Sequence, residues 1–382
     1  MKSILFFSES LDGGGAEGAL ERLIDNLNPG KWRISVVSET DGEMRIPFMK
    51  AHAKYHPFIH KNFNNNPVKE LINRIILTGS VKLPPSVVRR LYVRGRQDVE
   101  VASCEGYATK IISSSTNKKS VKIAYVHTDF AHNHWSLEAY KDAAEEKSCY
   151  ERLDHIICVS ESIREAFVNT YGLREKTIVL YNIFEDKKIK SMGEEEPAVP
   201  VKSMNRPVFV LAGSFLKVKG FDRFVRVAAR LRDDGFGFSA IIMGMGYERD
   251  ELEKLIAEKK LENRISLYEY QSNPYAIIKN ADAFVCSSYS EGYSTVITEA
   301  VILGKPVITT RCSGMEEIFG ERECGIICEN DEDSLYAALK SVLEDPQLLK
   351  KFAAESEIRS ADFKKEIRAA AINEFYENLE KK

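Results

Sequence analysis

The stretch from residue 283 to 310 limits the possible fold more than any other part of the chain. Two short apolar runs, 283–286 (Ala-Phe-Val-Cys) and 306–310 (Pro-Val-Ile-Thr-Thr), bracket a segment in which residues 295–303 fall at helical spacing. That is a strand, helix, strand unit. In such a unit the loop after the first strand lies at the carboxyl edge of a parallel sheet, where open α/β folds bind ligands. The free amides at the start of the following helix attract anions, and Ser294 and Thr295 occupy that start.

The same unit carries two carboxylates, Glu291 in the loop and Glu299 in the helix. A fully helical span between them would be about 12 Å. A glycosidase acid and nucleophile pair sits closer, at roughly 5 to 9.5 Å. We therefore read the two glutamates as acceptors that grip hydroxyls on different parts of one long ligand, with an anion held at the helix start between them. A sugar nucleotide has that shape: a hydroxylated sugar, a diphosphate and a ribose.

The pattern of apolar run, glycine-bearing turn and helix recurs along the chain. Residues 4–7 lead into Gly13, Gly14 and Gly15, then Leu20, Leu23, Ile24 and Leu27 at helical spacing. The spacing is not that of a dinucleotide fingerprint, and no Gly-Lys-Ser or Gly-Lys-Thr triplet marks a P-loop. Residues 34–37, 99–104, 121–126, 156–160 and 177–182 read as further strands, the run 121–126 ending at His127. Residues 207–213 restart the architecture, followed by Ser214, Lys217, Lys219 and Gly220 and an amphipathic helix. Residues 240–243 then end in a turn at Gly244 and Gly246.

At 382 residues the chain exceeds what one hydrophobic core usually supports, so two domains are expected. The composition shifts over 187–206, with Gly193, three successive glutamates and Pro197 and Pro200. This places an N-terminal Rossmann-like, acceptor-binding domain at 1–186, a linker at 187–206 and a C-terminal Rossmann-like, nucleotide-sugar-binding domain at 207–360. A helix at 361–382 is expected to return to the first domain.

Glu291-Gly292-Tyr293 with Glu299-Ala300, followed by Gly304-Lys305-Pro306-Val307-Ile308, resembles the paired-glutamate signature of family 4 retaining glycosyltransferases of the GT-B fold. The matching pattern extends over most of residues 205–345. The resemblance implies two Rossmann-like domains facing each other across a cleft, a nucleoside diphosphate sugar as donor, a UDP-sugar before a GDP-sugar, and no metal or other cofactor. By resemblance, Glu291 holds the sugar ring and Glu299 the ribose, with Tyr293, Ser294 and Thr295 beside them. Lys219 and the amides near Gly14, Gly15 and Ser294 would stabilise the departing diphosphate. Gly244 belongs to the nucleotide-base loop, and His127 contacts the donor sugar.

The family turn usually reads Gly-Arg, and here Ser214 stands in the Arg position. Lys217 is the candidate substitute, as a point charge rather than a bidentate fork. The catalytic set is thus His127, Glu291 and Lys219, and the donor-binding set Gly14, Gly15, Ser214, Lys217, Lys219, Gly244, Tyr293, Ser294, Thr295 and Glu299. The acceptor is expected to be a glycan or a lipid-linked sugar, in bacterial surface polysaccharide synthesis. Two alternatives share these residues: a nucleotide-sugar epimerase, and a nucleotide-sugar-binding protein with weak activity.

A net charge of −3 argues against a general nucleic-acid binder, and seven cysteines without a repeating spacing suggest reduced thiols. No segment reaches the roughly 18 apolar residues needed to span a bilayer, so a cytoplasmic location is expected. Residues 67–96 carry Lys69, Arg74, Lys82, Arg89, Arg90, Arg94 and Arg96 against one acid, Glu70, interleaved with apolar residues. Such a surface either docks on anionic lipid at the inner face of the membrane or forms ordinary helices with a charged outer face.

Overall fold

The structure, a computed structural model, describes residues 1–11, 14–40, 52–59, 71, 83–93 and 95–380. It divides into two units: Met1–Ile183 with Glu366–Lys382, and Phe184–Lys365.

In the first unit, β1 (Lys2–Ser8), β2 (Trp32–Thr40), β3 (Lys54–Ile59), β4 (Val99–Ala102), β5 (Val121–Val126), β6 (His155–Cys158) and β7 (Thr177–Val179) form one parallel sheet in the order β3-β2-β1-β4-β5-β6-β7. Strands buried on both faces read as continuous apolar runs, and Ile4, Leu5, Phe6 and Phe7 of β1 are buried accordingly. Helix Gly15–Asn26 covers one face with Leu20, Leu23 and Ile24. The order reverses between β1 and β4, so the loops after these two strands diverge and leave a crevice at their carboxyl ends.

The second unit repeats this plan. β8 (Val208–Ala212), β9 (Ser239–Met243), β10 (Ile265–Tyr268), β11 (Ala283–Cys286), β12 (Val307–Thr310) and β13 (Gly325–Cys328) are all parallel, in the order β10-β9-β8-β11-β12-β13. The reversal here falls between β8 and β11. Its core packs Phe209, Leu211 and Ile242 of the sheet against Phe224, Val227 and Leu231 of helix Phe221–Asp233 and Leu335 and Leu339 of helix Glu332–Glu344. Asp331 caps that last helix, accepting the Ser334 amide at 2.8 Å.

Residues 187–206, read from composition as a linker, are folded into the second unit. Asp186–Gly193 is a helix with Ile189 buried, Val199 and Val201 are buried further on, and Asn273 Nδ2 donates to the Met192 carbonyl at 2.9 Å. Scattered apolar residues outweigh the glutamates and prolines that suggested a spacer. A Cβ on Gly193 would lie 2.7 Å from a methyl of Leu303, so a larger residue there requires that side chain to shift.

The chain returns to the first unit at Glu366, a few residues later than the sequence suggested. Helix Lys365–Glu377 is held there by Asn373 Nδ2 on the Asn26 carbonyl at 2.8 Å, by the Lys31–Glu377 pair, and by Tyr376, whose hydroxyl lies 3.1 Å from that of Tyr125.

Of the basic segment 67–96, residues 67–70, 72–82 and 94 lie outside the described residues. Within the described part, helix Pro85–Tyr92 turns Arg89 inward, where Nη2 and Nε bond the two oxygens of the fully buried Glu100 at 2.7 and 3.2 Å. Arg89 therefore does not belong to an outer basic face.

Candidate functional site

The switch point of the second sheet assembles most of the residues singled out there. The loops after β8 and β11 are stitched together: the Tyr289 amide donates to the Val218 carbonyl at 2.8 Å, and Gly220 lies against Ser287. Gly220 has φ 62°, and a Cβ there would sit 2.0 Å from the Ser287 carbonyl oxygen, so only glycine fits. This closeness brings Lys219 to Glu291. Lys219 Nζ donates to both carboxylate oxygens, at 2.8 and 2.9 Å, and Ser288 Oγ donates to Oε1 at 2.6 Å. Burial works against the charge on Lys219, but the Glu291 carboxylate outweighs it and holds the ammonium above its ordinary pKa.

Gly244 joins the same mouth from β9. A Cβ on it would lie 1.8 Å from the Gly213 carbonyl oxygen, which places it beside the exposed Ser214. Lys217 has another partner: its Nζ donates to Asp222 Oδ2 at 2.5 Å, and that oxygen also accepts from Arg226 at 3.0 Å. The bond to Asp222 raises the Lys217 pKa. Any help that Lys217 gives a phosphate must therefore be traded against this pair.

Downstream of the loop, Tyr293 and Ser294 are buried, and Thr295 opens helix Thr295–Ile302. The extended Ser294 makes no side-chain bond to the first turn. Glu299 is buried on this helix, its Oε1 accepting from the Tyr275 hydroxyl at 3.4 Å. The two glutamates thus have separate partners: Glu291 faces a lysine and a serine, Glu299 a tyrosine.

In the first unit, Gly14 caps helix Gly15–Asn26, and a Cβ on it would meet Glu17 Oε2 at 2.4 Å. The helix start is therefore already faced by a carboxylate of its own first turn. His127 follows β5. Its amide donates to Glu105 at 2.5 Å, its Nε2 lies 2.9 Å from the Ser103 carbonyl, and its ring stacks on Tyr125 with centroids 5.9 Å apart. His127, Phe6, Leu20, Tyr125, Leu180 and Ile372 share one cavity wall.

Several participants were not apparent beforehand: Glu105, Ser288, Asp222, Tyr275 and Glu9. The last follows β1 at the switch point of the first sheet and accepts the Ala108 amide at 3.1 Å. Burial pushes its pKa up to about 7, with the Ala108 and Tyr107 amides opposing and Glu39 and Glu105 reinforcing. A carboxyl raised in the fold stabilises it most when protonated. Its contribution is full below the ordinary carboxylate pKa and is lost as pH rises through about 7. Wild type is expected to lose thermal stability on this account between about pH 5 and about pH 8, and Glu9→Gln to lose less. Parallel melting curves of the two proteins across that range would refute the assignment.

The fold and this mouth define a two-unit α/β protein of the GT-B type, and comparison with known proteins agrees. Residues 193–359 match the family model "Glycosyl transferases group 1" and residues 88–187 the model "Glycosyltransferase Family 4". Together the two matches run through most of residues 88–359 and support a family 4-type glycosyltransferase.

It is similar to the Campylobacter jejuni N-acetylgalactosamine-N,N'-diacetylbacillosaminyl-diphospho-undecaprenol 4-alpha-N-acetylgalactosaminyltransferase, at 31% identity over 56% of this chain and 58% of that protein. It is also similar to the lipopolysaccharide core biosynthesis glycosyltransferase LpsE of Rhizobium meliloti, at 26% identity over 54% of this chain and 58% of that one. The matched part spans only a little over half the length of these two relatives. Among solved structures, Anabaena Alr3699/HepE in complex with UDP-glucose superposes with a TM-score of 0.77 at 20% identity, over 99% of this chain and 100% of that one.

Proposed function

We propose that this protein transfers a sugar from a nucleoside diphosphate sugar, with the anomeric configuration retained, to a glycan or lipid-linked acceptor in bacterial surface polysaccharide or lipopolysaccharide synthesis. The observation that carries the reading is the Lys219–Glu291 pair at the second unit's switch point. It sets a cation for the departing diphosphate beside an acceptor for sugar hydroxyls, with Glu299 on the following helix for the ribose. His127 orients the sugar, and the amides at Ser294 and Thr295 take up developing charge. Ser214, Gly244, Tyr293, Gly14 and Gly15 complete the donor contacts. UDP is the favoured nucleotide, in keeping with the UDP-glucose bound by the Anabaena neighbour.

Thermal shift against UDP-, GDP- and ADP-sugars, then turnover with product analysis, tests this. A UDP-sugar is expected to stabilise the protein and to yield a glycoside of unchanged anomeric configuration, with or without EDTA. Donor epimerised in the absence of acceptor would favour an isomerase. Binding without free sugar or glycoside would leave a binding protein.

One surface of the first unit supports the reading of a lipid-linked acceptor. Val87 and Leu91 are exposed one turn apart on helix Pro85–Tyr92, Leu83 just before the helix is exposed too, and Arg90 and Arg96 are also exposed. An apolar stripe beside arginines suits an anionic membrane surface. Sedimentation with phosphatidylglycerol vesicles is expected to carry wild type down, and Val87→Glu/Leu91→Glu much less. Equal sedimentation of both would remove this helix from the contact.

A further inference from the structure

Glu105 is fully buried. A single one of its oxygens, Oε1, accepts the backbone amides of both His127 and Thr128, at 2.5 and 2.6 Å. Among the described residues no cation pairs with it. With no countercharge beside it, the buried Glu105 side chain is held by these two amides, and it holds them in return.

The same loop holds the other end of the histidine. His127 Nε2 lies 2.9 Å from the main-chain carbonyl of Ser103, and a carbonyl oxygen can only accept. Nε2 therefore carries the proton, and in the neutral ring Nδ1 is an acceptor. The parallel Tyr125 ring, 16° from coplanar, fixes the imidazole plane. Tyr125 is tied in turn to Tyr376 of the returning helix. Ser103 and Glu105 follow β4, the strand beside β5, so sheet order alone brings this clamp to His127.

We propose that Glu105 is the positioning residue for His127, holding it in the Nε2–H form so that Nδ1 accepts a hydrogen bond from a hydroxyl of the transferred sugar. The proposal rests on the reading of His127 as a sugar contact. It adds a specificity rule: the sugar must present a hydroxyl there, since a deoxy position or a carboxylate has no proton to donate.

Two measurements test it on the full chain. Nitrogen-15 spectra of selectively histidine-labelled protein without ligand are expected to show His127 protonated at Nε2 in wild type and Glu105→Gln, and a mixture of tautomers in Glu105→Asp, whose shorter side chain cannot reach both amides. A wild-type Nδ1–H form would overturn the proposal.

In turnover of the donor chosen by thermal shift, with UDP-glucose as first probe, Glu105→Asp is expected to lower kcat about 10- to 100-fold with little change in donor KM. Glu105→Gln should restore it, and Glu105→Asp should cost nothing further in a His127→Ala background. The same loss in both backgrounds would mean that Glu105 acts on the fold alone. Absence of nucleotide binding and turnover would sink the glycosyltransferase reading without affecting the tautomer result, so the two fail separately.

Discussion

Lys219→Met is expected to lower kcat about 10²- to 10³-fold while changing donor KM far less. In the free protein the ammonium is spent on Glu291. In the proposed transfer, negative charge would grow on the diphosphate as the bond to the sugar breaks and would give Lys219 a stronger partner, so its contribution would be larger in the transition state than in the ground state. Ser214 adds weight to this residue, because the cation that the family usually keeps at that position is missing. Glu291 would be left without its lysine in Lys219→Met. The comparison is therefore made also in Lys219→Met/Glu291→Gln, where no unpaired carboxylate remains. Lys219→Arg should recover little, since a planar fork cannot occupy the seat of a compact ammonium between Glu291 and a phosphate. Ser214→Arg in the Lys219→Met background is expected to regain part of the loss. Unchanged kcat in Lys219→Met would end the assignment of this lysine to the leaving group.

How far the site could be foreseen follows from what kind of contact makes it. Residues at the ends of strands are legible because an apolar run marks the strand and the next few residues must lie at the sheet edge. Gly244, Glu291 and His127 lie just past such strand ends, whereas Lys219 and Gly220 stand out through the family resemblance. Gly220 also carries a steric signature, since no other residue tolerates its approach to Ser287.

Contacts between loops far apart in sequence leave no such trace. Lys219 and Glu291 were assigned separate tasks, and nothing local says that they pair across 72 residues. Lys217 looked like a spare cation until Asp222, five residues on, was seen to hold it. A glutamate just after a strand, as Glu105 is, carries no sign of burial in the local sequence. Only the adjacency of β4 and β5 turns it toward His127. At the fold level, the glutamates and prolines of 187–206 suggest a spacer, while Ile189, Val199 and Val201, each buried, bind the segment to the second unit.

Arg89→Met is expected to destabilise the first unit by about 3 to 5 kcal/mol, because it strands the fully buried Glu100 without a countercharge. Asn117 Nδ2, 3.5 Å from the same carboxylate, is too distant to compensate. Replacing both partners, in Arg89→Met/Glu100→Leu, should recover most of the loss, since two apolar groups of similar size bury without a charge penalty. The pair also bears on the proposed membrane contact. With Arg89 anchored inward, helix Pro85–Tyr92 is fixed in the rotation that leaves Val87 and Leu91 exposed. Arg89→Met should therefore lose vesicle binding along with stability, whereas the double variant regains stability and, with the helix again packed, the vesicle binding too. If denaturant unfolding shows Arg89→Met within about 0.5 kcal/mol of wild type, the ion pair contributes no more than an ordinary surface pair and the helix owes its orientation to something else.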